Sequence, residues 1–256
     1  MRMIEQTFHT PLPLTLEVSI PSGGIDVETT DGEETSLTVG GDERMLEHVE
    51  VRQDGNRVTV TLRDKNKVGF SFSLGSLVFG NGGLRVQAHV PHGAGMKVKT
   101  ASADTKITGH LRTLDVNGVS GDVRVRGEIS DDATVKTVSG DVELERVDGD
   151  VSVQTVSGDA RVRGIAGSVD AKSVSGDIRL EALTAGDARF SSVSGDIEIG
   201  IASGSMLDVD AGSTSGDLSS EVPLATEAPL GESHTGPTVV LRGRTVSGDV
   251  RVFRAG

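Results

Sequence analysis

The chain contains no cysteine, no tryptophan and no tyrosine, and only six phenylalanines among 256 residues. Without cysteine there is neither a disulfide framework nor a thiolate metal site, and the redox compartment is left open. Without large aromatic anchors a layered core built around rings is excluded, so burial has to come from many small aliphatic and β-branched side chains. No stretch approaches the ~18 consecutive apolar residues of a membrane span, and the opening MRMIEQTFHTPLPLTLEV has no apolar leader segment. These two features predict a cytoplasmic protein with no membrane insertion. Positive charge is also scarce: 25 Lys and Arg stand against 38 Asp and Glu, a net charge of -13 with no basic cluster, which argues against nucleic acid as a partner.

What the chain has in abundance is glycine, 34 residues, and a repeated word. VSGD occurs at Val119–Asp122, Val138–Asp141, Val156–Asp159, Val174–Asp177, Val193–Asp196 and Val246–Asp249, with TSGD at Thr214–Asp217 and a degenerate SAD at Ser102–Asp104. The Asp-to-Asp steps from 104 are 18, 19, 18, 18, 19, 21 and then 32 residues, and the last step holds an insertion at 222–237. A fixed period of this kind determines architecture before any single motif does. After each turn the residues alternate apolar and polar, as in Val123-Arg124-Val125-Arg126 and Ile178-Arg179-Leu180-Glu181, the period of a strand with one buried face. A second alternating run follows about nine residues on, as in Val151-Ser152-Val153-Gln154, so each coil of 18–19 residues carries two short strands and two turns.

Stacking equivalent strands at ~4.8 Å per coil places apolar residue over apolar residue and pairs the backbone laterally. The predicted fold is all-β: a right-handed parallel β-solenoid, the hand following from the strong preference of parallel crossovers. A hexapeptide helix would require an aliphatic residue at every sixth position, and the series from Val119 reaches Asp131. Outward positions form charge columns, Arg124, Glu143, Arg161, Arg179 and Glu198 beside Arg126, Glu145, Arg163 and Glu181, which read as a solvated, self-compensating face.

Residues 1–95 lack the repeated word but read as β-rich, with strands expected at 12–20, 47–53, 57–63 and 84–90 and a tight hairpin at Asp54-Gly55-Asn56. We therefore divide the chain into an irregular N-terminal cap, 1–95, and a solenoid, 96–256, with the boundary at Pro91–Gly95. Phe70, Phe72 and Phe79 are expected to cover the first coil, and Phe253 to finish the last one.

The sharpest candidate site is the carboxylate ladder Asp122, Asp141, Asp159, Asp177, Asp196, Asp217 and Asp249. Stacked carboxylates repel unless cations or N–H donors neutralise them, so the ladder is either a calcium site or turn chemistry, and turn chemistry is the preferred reading. The six histidines at 9, 48, 89, 92, 110 and 234 are scattered, with His89 and His92 expected on opposite sides of an extended segment. HExxH, Walker and GxSxG signatures are absent, and the serines are accounted for by turns.

The run HTPLPLTLEVSIPSGGIDV near the start, the segment HVPHGAGMKVKTASAD and the serial VSGDVRV-type turns together resemble the bacterial putative-adhesin family of β-strand-repeat proteins, a domain of unknown function with YvlB-like members. The resemblance spans nearly the whole chain and implies a β-helix with no assigned reaction and no catalytic residues. The residues and the resemblance point to a non-catalytic structural or protein-binding scaffold whose partner is an unknown protein or further copies of itself. The alternatives are a glycan-active β-helix enzyme and a calcium-binding β-roll-like protein.

Overall fold

The computed structural model describes residues 3–62, 83–222 and 236–255. The chain divides into two compact units, Met1–Asp122 and Val123–Gly256.

The N-terminal unit contains β1 (Met3–His9), β2 (Thr15–Thr30), β3 (Glu34–Gly40), the short helix α1 (Glu43–Leu46), β4 (Val49–Asp54), β5 (Arg57–Leu62), β6 (Leu84–Pro91) and β7 (Ala94–Asn117). Its centre is β2, which pairs in parallel with β7 from Thr15↔Gly95 to Glu28↔Thr108. The other edge of β2 is met by two strands in tandem, β5 along Thr15–Ser19 and β6 along Gly23–Thr30, both parallel. Alternation drives the burial, with Leu16, Val18, Ile20, Ile25 and Val27 inward on β2 and Val98 and Ile107 inward on β7. The parallel pairing then gives way to antiparallel strands: β4 on β5, β3 on β6, and β1 on β3. The Asp54–Arg57 hairpin is present, with Gly55 at φ 56° in its turn.

The boundary expected at Pro91–Gly95 lies inside this unit. Almost the whole of β2 pairs with Gly95–Thr108 of β7, which ties the start of the expected solenoid to the N-terminal strands, and the first compact unit runs on to Asp122.

The C-terminal unit is the regular stack. It contains β8 (Val123–Ile129), β9 (Ala133–Lys136), β10 (Val142–Val147), β11 (Val151–Gln154), β12 (Ala160–Ile165), β13 (Val169–Lys172), β14 (Ile178–Leu183), β15 (Gly186–Ser194), β16 (Ile197–Ile201), β17 (Met206–Ser215), β18 (Leu218–Ser220), β19 (Thr238–Ser247) and β20 (Val250–Arg254). Even-numbered strands from β8 to β16 pair in parallel along one face, and odd-numbered strands from β9 to β15 along the other. Columns such as Val123, Val142, Ala160, Ile178 and Ile197 are buried in register. A third buried column, Ile129, Val147, Ile165, Leu183 and Ile201, closes the coil. It escapes a hexapeptide count made from Val119 or Val138 because those valines are exposed and lie outside the inward register, and from Val142 to Val147 and Ala160 to Ile165 the step is five.

Stack order departs from chain order at the last two coils. The expected succession places the Asp217 coil on the Asp196 coil. Instead β19 pairs with both β15 and β17, and β20 with both β16 and β18, so the C-terminal coil lies between its predecessor and the coil before that. The reason is apolar content. The C-terminal coil turns Val239, Leu241, Val250 and Val252 inward and buries them completely, whereas the β17–β18 coil buries Leu207 and Val222 and leaves Leu218 46 % exposed. The more apolar coil takes the interior, and the Ser- and Asp-rich one serves as the cover. Phe253 therefore does not finish the stack: it lies half-buried in the penultimate coil, paired with Gly200. Phe70, Phe72 and Phe79, and residues 223–235 of the insertion, lie outside the described residues.

Candidate functional site

The repeated word folds into one corner per coil, and each of its residues has a separate position. The hydroxyl residue before the word points inward: Thr137, Thr155, Ser173, Ser192 and Thr245 form a buried column, in which the hydroxyls of Thr155, Ser173 and Ser192 have no hydrogen-bond partner. The valine of the word is not a core residue. Val138, Val156, Val174, Val193 and Val246 are 43 to 53 % exposed, stacked on the outside of the corner. The serine amide then continues the backbone ladder, with Ser157 N–H donating to the Val138 carbonyl at 2.8 Å and Ser175 N–H to that of Val156 at 2.7 Å.

The glycine is needed for approach between coils. A Cβ on Gly158 would lie 2.3 Å from the Gly140 carbonyl oxygen, and one on Gly176 the same distance from the Gly158 oxygen. Glycine here makes room for the neighbouring backbone; positive φ, which Gly140 has, is not shared by Gly158.

The aspartates form the predicted ladder with a specific bond. In the C-terminal unit the carboxylates of Asp141, Asp159, Asp177, Asp196 and Asp249 each accept the backbone N–H of the aspartate in the adjoining coil: Asp159 N–H to Asp141 at 3.1 Å, Asp177 to Asp159 at 2.9 Å, Asp196 to Asp177 at 2.8 Å, Asp249 to Asp196 at 2.9 Å and Asp217 to Asp249 at 2.9 Å. The N-terminal unit repeats the bond from Asp122 N–H to Asp104. The opposite corner has its own version, Asp150 N–H to Asp132 and Ser168 N–H to Asp150. At a corner the strand ladder is interrupted, and the carboxylate supplies the acceptor that the turned backbone cannot. Each N–H also provides the positive partner that stacking of carboxylates requires. Among the described residues no group of three or more His, Cys, Asp or Glu is disposed to hold a metal ion.

The charge columns are linked within and between strands. Arg163 bonds Glu143, Arg161 and Arg179 share Glu181, Arg179 also reaches Glu198, and Arg251 bonds Glu221. These pairs are exposed and screened by solvent, so their support for register is weak.

In the N-terminal unit, His89 and His92 face different partners. His89 meets Ser36 and Glu28, while His92 Nδ1 and Thr29 Oγ1 share a hydrogen bond of 2.6 Å, with Asp31 3.6 Å from His92 Nε2. His110, 18 residues further on in β7, joins them: its N–H donates to Thr29 Oγ1 at 2.8 Å and its ring lies edge-to-face with His92 at 5.4 Å. The sequence gives no signal for that meeting, which depends on the β2–β7 register. The order hydroxyl, imidazole, carboxylate has the form of a proton relay, but Thr29 is buried and its oxygen is engaged by both neighbours. The arrangement fastens the end of β2 to the β6–β7 turn and to β7.

Stacked parallel coils with corner ladders define a β-solenoid domain in which the glycine and the aspartate of the repeated word are taken up by the architecture. Residues 15–253 match the model of the Toastrack DUF4097 family, and the chain belongs to that family. Among solved structures it is similar to one from Parabacteroides distasonis ATCC 8503 described as a putative lipid binding protein, with 13 % identity and a TM-score of 0.57 over 98 % of this chain and 96 % of that one. It is likewise similar to a putative adhesin from Bacteroides fragilis NCTC 9343, with 16 % identity and a TM-score of 0.52 over 98 % and 97 % of the two chains. At these identities the likeness concerns the fold. No curated protein matches the chain.

Proposed function

We propose that the protein is a non-catalytic β-solenoid scaffold that acts by presenting its outer surface to a protein partner or to further copies of itself. One observation carries this reading. The charged groups at the corners and along the outer face are engaged with their neighbours, carboxylate to amide and guanidinium to carboxylate, while the half-exposed valines recur at each VSGD corner with nothing in their own stack to cover them. The family is one of unknown function, and the two similar structures are described by adhesion and lipid binding rather than by a reaction. In this reading the aspartate ladder is mechanical and needs no calcium.

Saturable binding of a protein ligand by the immobilised full chain, or self-association of the chain in solution, supports the scaffold. Release of reducing ends from a panel of polysaccharides, abolished by heat denaturation, overturns it in favour of a glycan-active enzyme. A melting temperature that rises by many degrees in millimolar calcium and falls back with chelator would assign the ladder to calcium instead.

A further inference from the structure

The valine stripe has a column with three cations on one side, of which Lys172 also pairs with Asp170 at 2.8 Å, and a column of aspartates on the other. Two residues before each valine stands the column Lys136, Gln154, Lys172, Ser191 and Arg244, in register across β9, β11, β13, β15 and β19. Three residues after each valine stands the exposed aspartate column Asp141, Asp159, Asp177, Asp196 and Asp249. From Val138 to Val246 the stripe crosses five successive coils, about 19 Å at ~4.8 Å per coil. Stacking of valines explains why each is half covered. It does not explain an aliphatic residue at the outer position of every one of these coils, where Thr214 shows that a polar residue is accommodated in the outermost.

We infer that this stripe is the face on which a second copy of the chain docks, side by side and coil against coil, and the inference rests on the scaffold reading above. Spacing selects the occupant. A helix laid along the stripe repeats every 5.4 Å and drifts about half a coil out of phase over four steps, and an extended strand repeats every ~6.6 Å. A second stack of the same coils stays in phase along the whole length.

Charge selects the orientation. A two-fold axis running along the stripe sets coil against the same coil and brings each cationic column opposite the partner's aspartate column. An axis across the stripe sets like against like. The local match opposes the repulsion between two chains of net charge -13. A stripe one residue wide and five coils long is smaller than the ~1,600 Å² of a standard interface, so the pairing is a weak one that forms at high local concentration.

The test uses the full chain, which has no cysteine of its own. Sedimentation velocity from about 1 µM to about 1 mM is expected to show the weight-average mass moving from monomer towards dimer. Val156→Thr/Val174→Thr, which installs the residue that Thr214 already places at this corner, is expected to weaken dimerisation about tenfold or more with little change in melting temperature. Mild oxidation of Val174→Cys should yield a disulfide-linked dimer. A mixture of Val138→Cys and Val246→Cys chains, four coils apart in the proposed arrangement, should not cross-link to each other.

A mass that stays monomeric at all concentrations, dimerisation unaffected by the double threonine variant, or preferential Val138→Cys to Val246→Cys cross-linking overturns the inference. If the wild-type chain stays monomeric yet saturably binds another protein, the scaffold reading survives and this inference alone fails.

Discussion

In the C-terminal unit five corners carry the word VSGD and a sixth reads TSGD, joined by five amide-to-carboxylate bonds of one kind, whereas the N-terminal unit builds its parallel pairing from long, unequal strands and ends it in antiparallel ones. Both units contain a reordering. In the first, β2 comes early in the chain but lies between β7 and the tandem β5 and β6; in the second, β19 and β20 come last but lie inside β17 and β18. Repetition alone provides no way to stop a stack, because each coil presents an edge to which another coil can be added. The N-terminal unit stops with antiparallel strands. The C-terminal unit turns its least apolar coil outward.

The difference can be broken most strongly inside the regular stack. The column Val135, Val153, Ala171, Phe190, Gly243 and Ala211 accommodates one ring by placing small residues on either side of it. Phe190→Ala should therefore leave a cavity and cost about 4 kcal/mol, read as a lowered denaturant midpoint. Gly243→Ala should be destabilising as well, since its Cβ would lie 2.5 Å from the Phe190 carbonyl oxygen and 2.6 Å from the Phe190 ring. In the Phe190→Ala background the ring's share of that penalty should be relieved while the carbonyl's share remains, a partial coupling measurable by a double-mutant cycle.

Next comes the corner. Gly158→Val should cost about 3 kcal/mol because the Gly140 carbonyl cannot retreat without breaking the neighbouring coil. Gly24→Ala in β2 of the N-terminal unit, where a Cβ meets nothing within 4 Å, should change stability by less than about 0.5 kcal/mol. Equal effects at the two positions would remove close approach as the cause.

The aspartate ladder is expected to have a smaller effect. Asp177→Ala removes the acceptor for the Asp196 N–H and should cost about 1 kcal/mol, whereas Asp177→Asn retains an acceptor oxygen and should cost less. If alanine and asparagine were equally harmful, the negative charge rather than the hydrogen bond would be at work. Smallest of all is the inward hydroxyl column. Thr155→Val replaces a buried hydroxyl that has no partner and should be neutral or stabilising by up to about 1 kcal/mol in thermal unfolding. A clear loss of stability would show that the hydroxyl is satisfied in solution.

Much of the C-terminal unit was legible because its period is local. The alternation at Val142-Glu143-Leu144-Glu145 assigns inward and outward faces, and the constant offset to Ala160 and Ile178 assigns register. The role of the valine in the word was not legible, since an apolar residue beside a turn reads equally well as core or corner, and only the bend places it outside. The acceptor role of the aspartates was legible in kind, as side-chain to backbone bonding, but not in direction, which runs to the next coil rather than within the turn. The meeting of His110 with Thr29 and His92 was not legible, because it requires a register between strands some 80 residues apart.

The sequence by itself determined that the protein is a parallel stack of small aliphatic residues with no aromatic core, because a fixed period with alternating polarity permits only lateral pairing of equivalent strands. The tertiary structure decided the order of the final coils, the antiparallel ending of the N-terminal unit and the exposure of the valine stripe. Coils that share one repeat are interchangeable as local sequences. Their places are settled only when the whole stack compares how much apolar surface each coil buries in the interior with how much it exposes at the end.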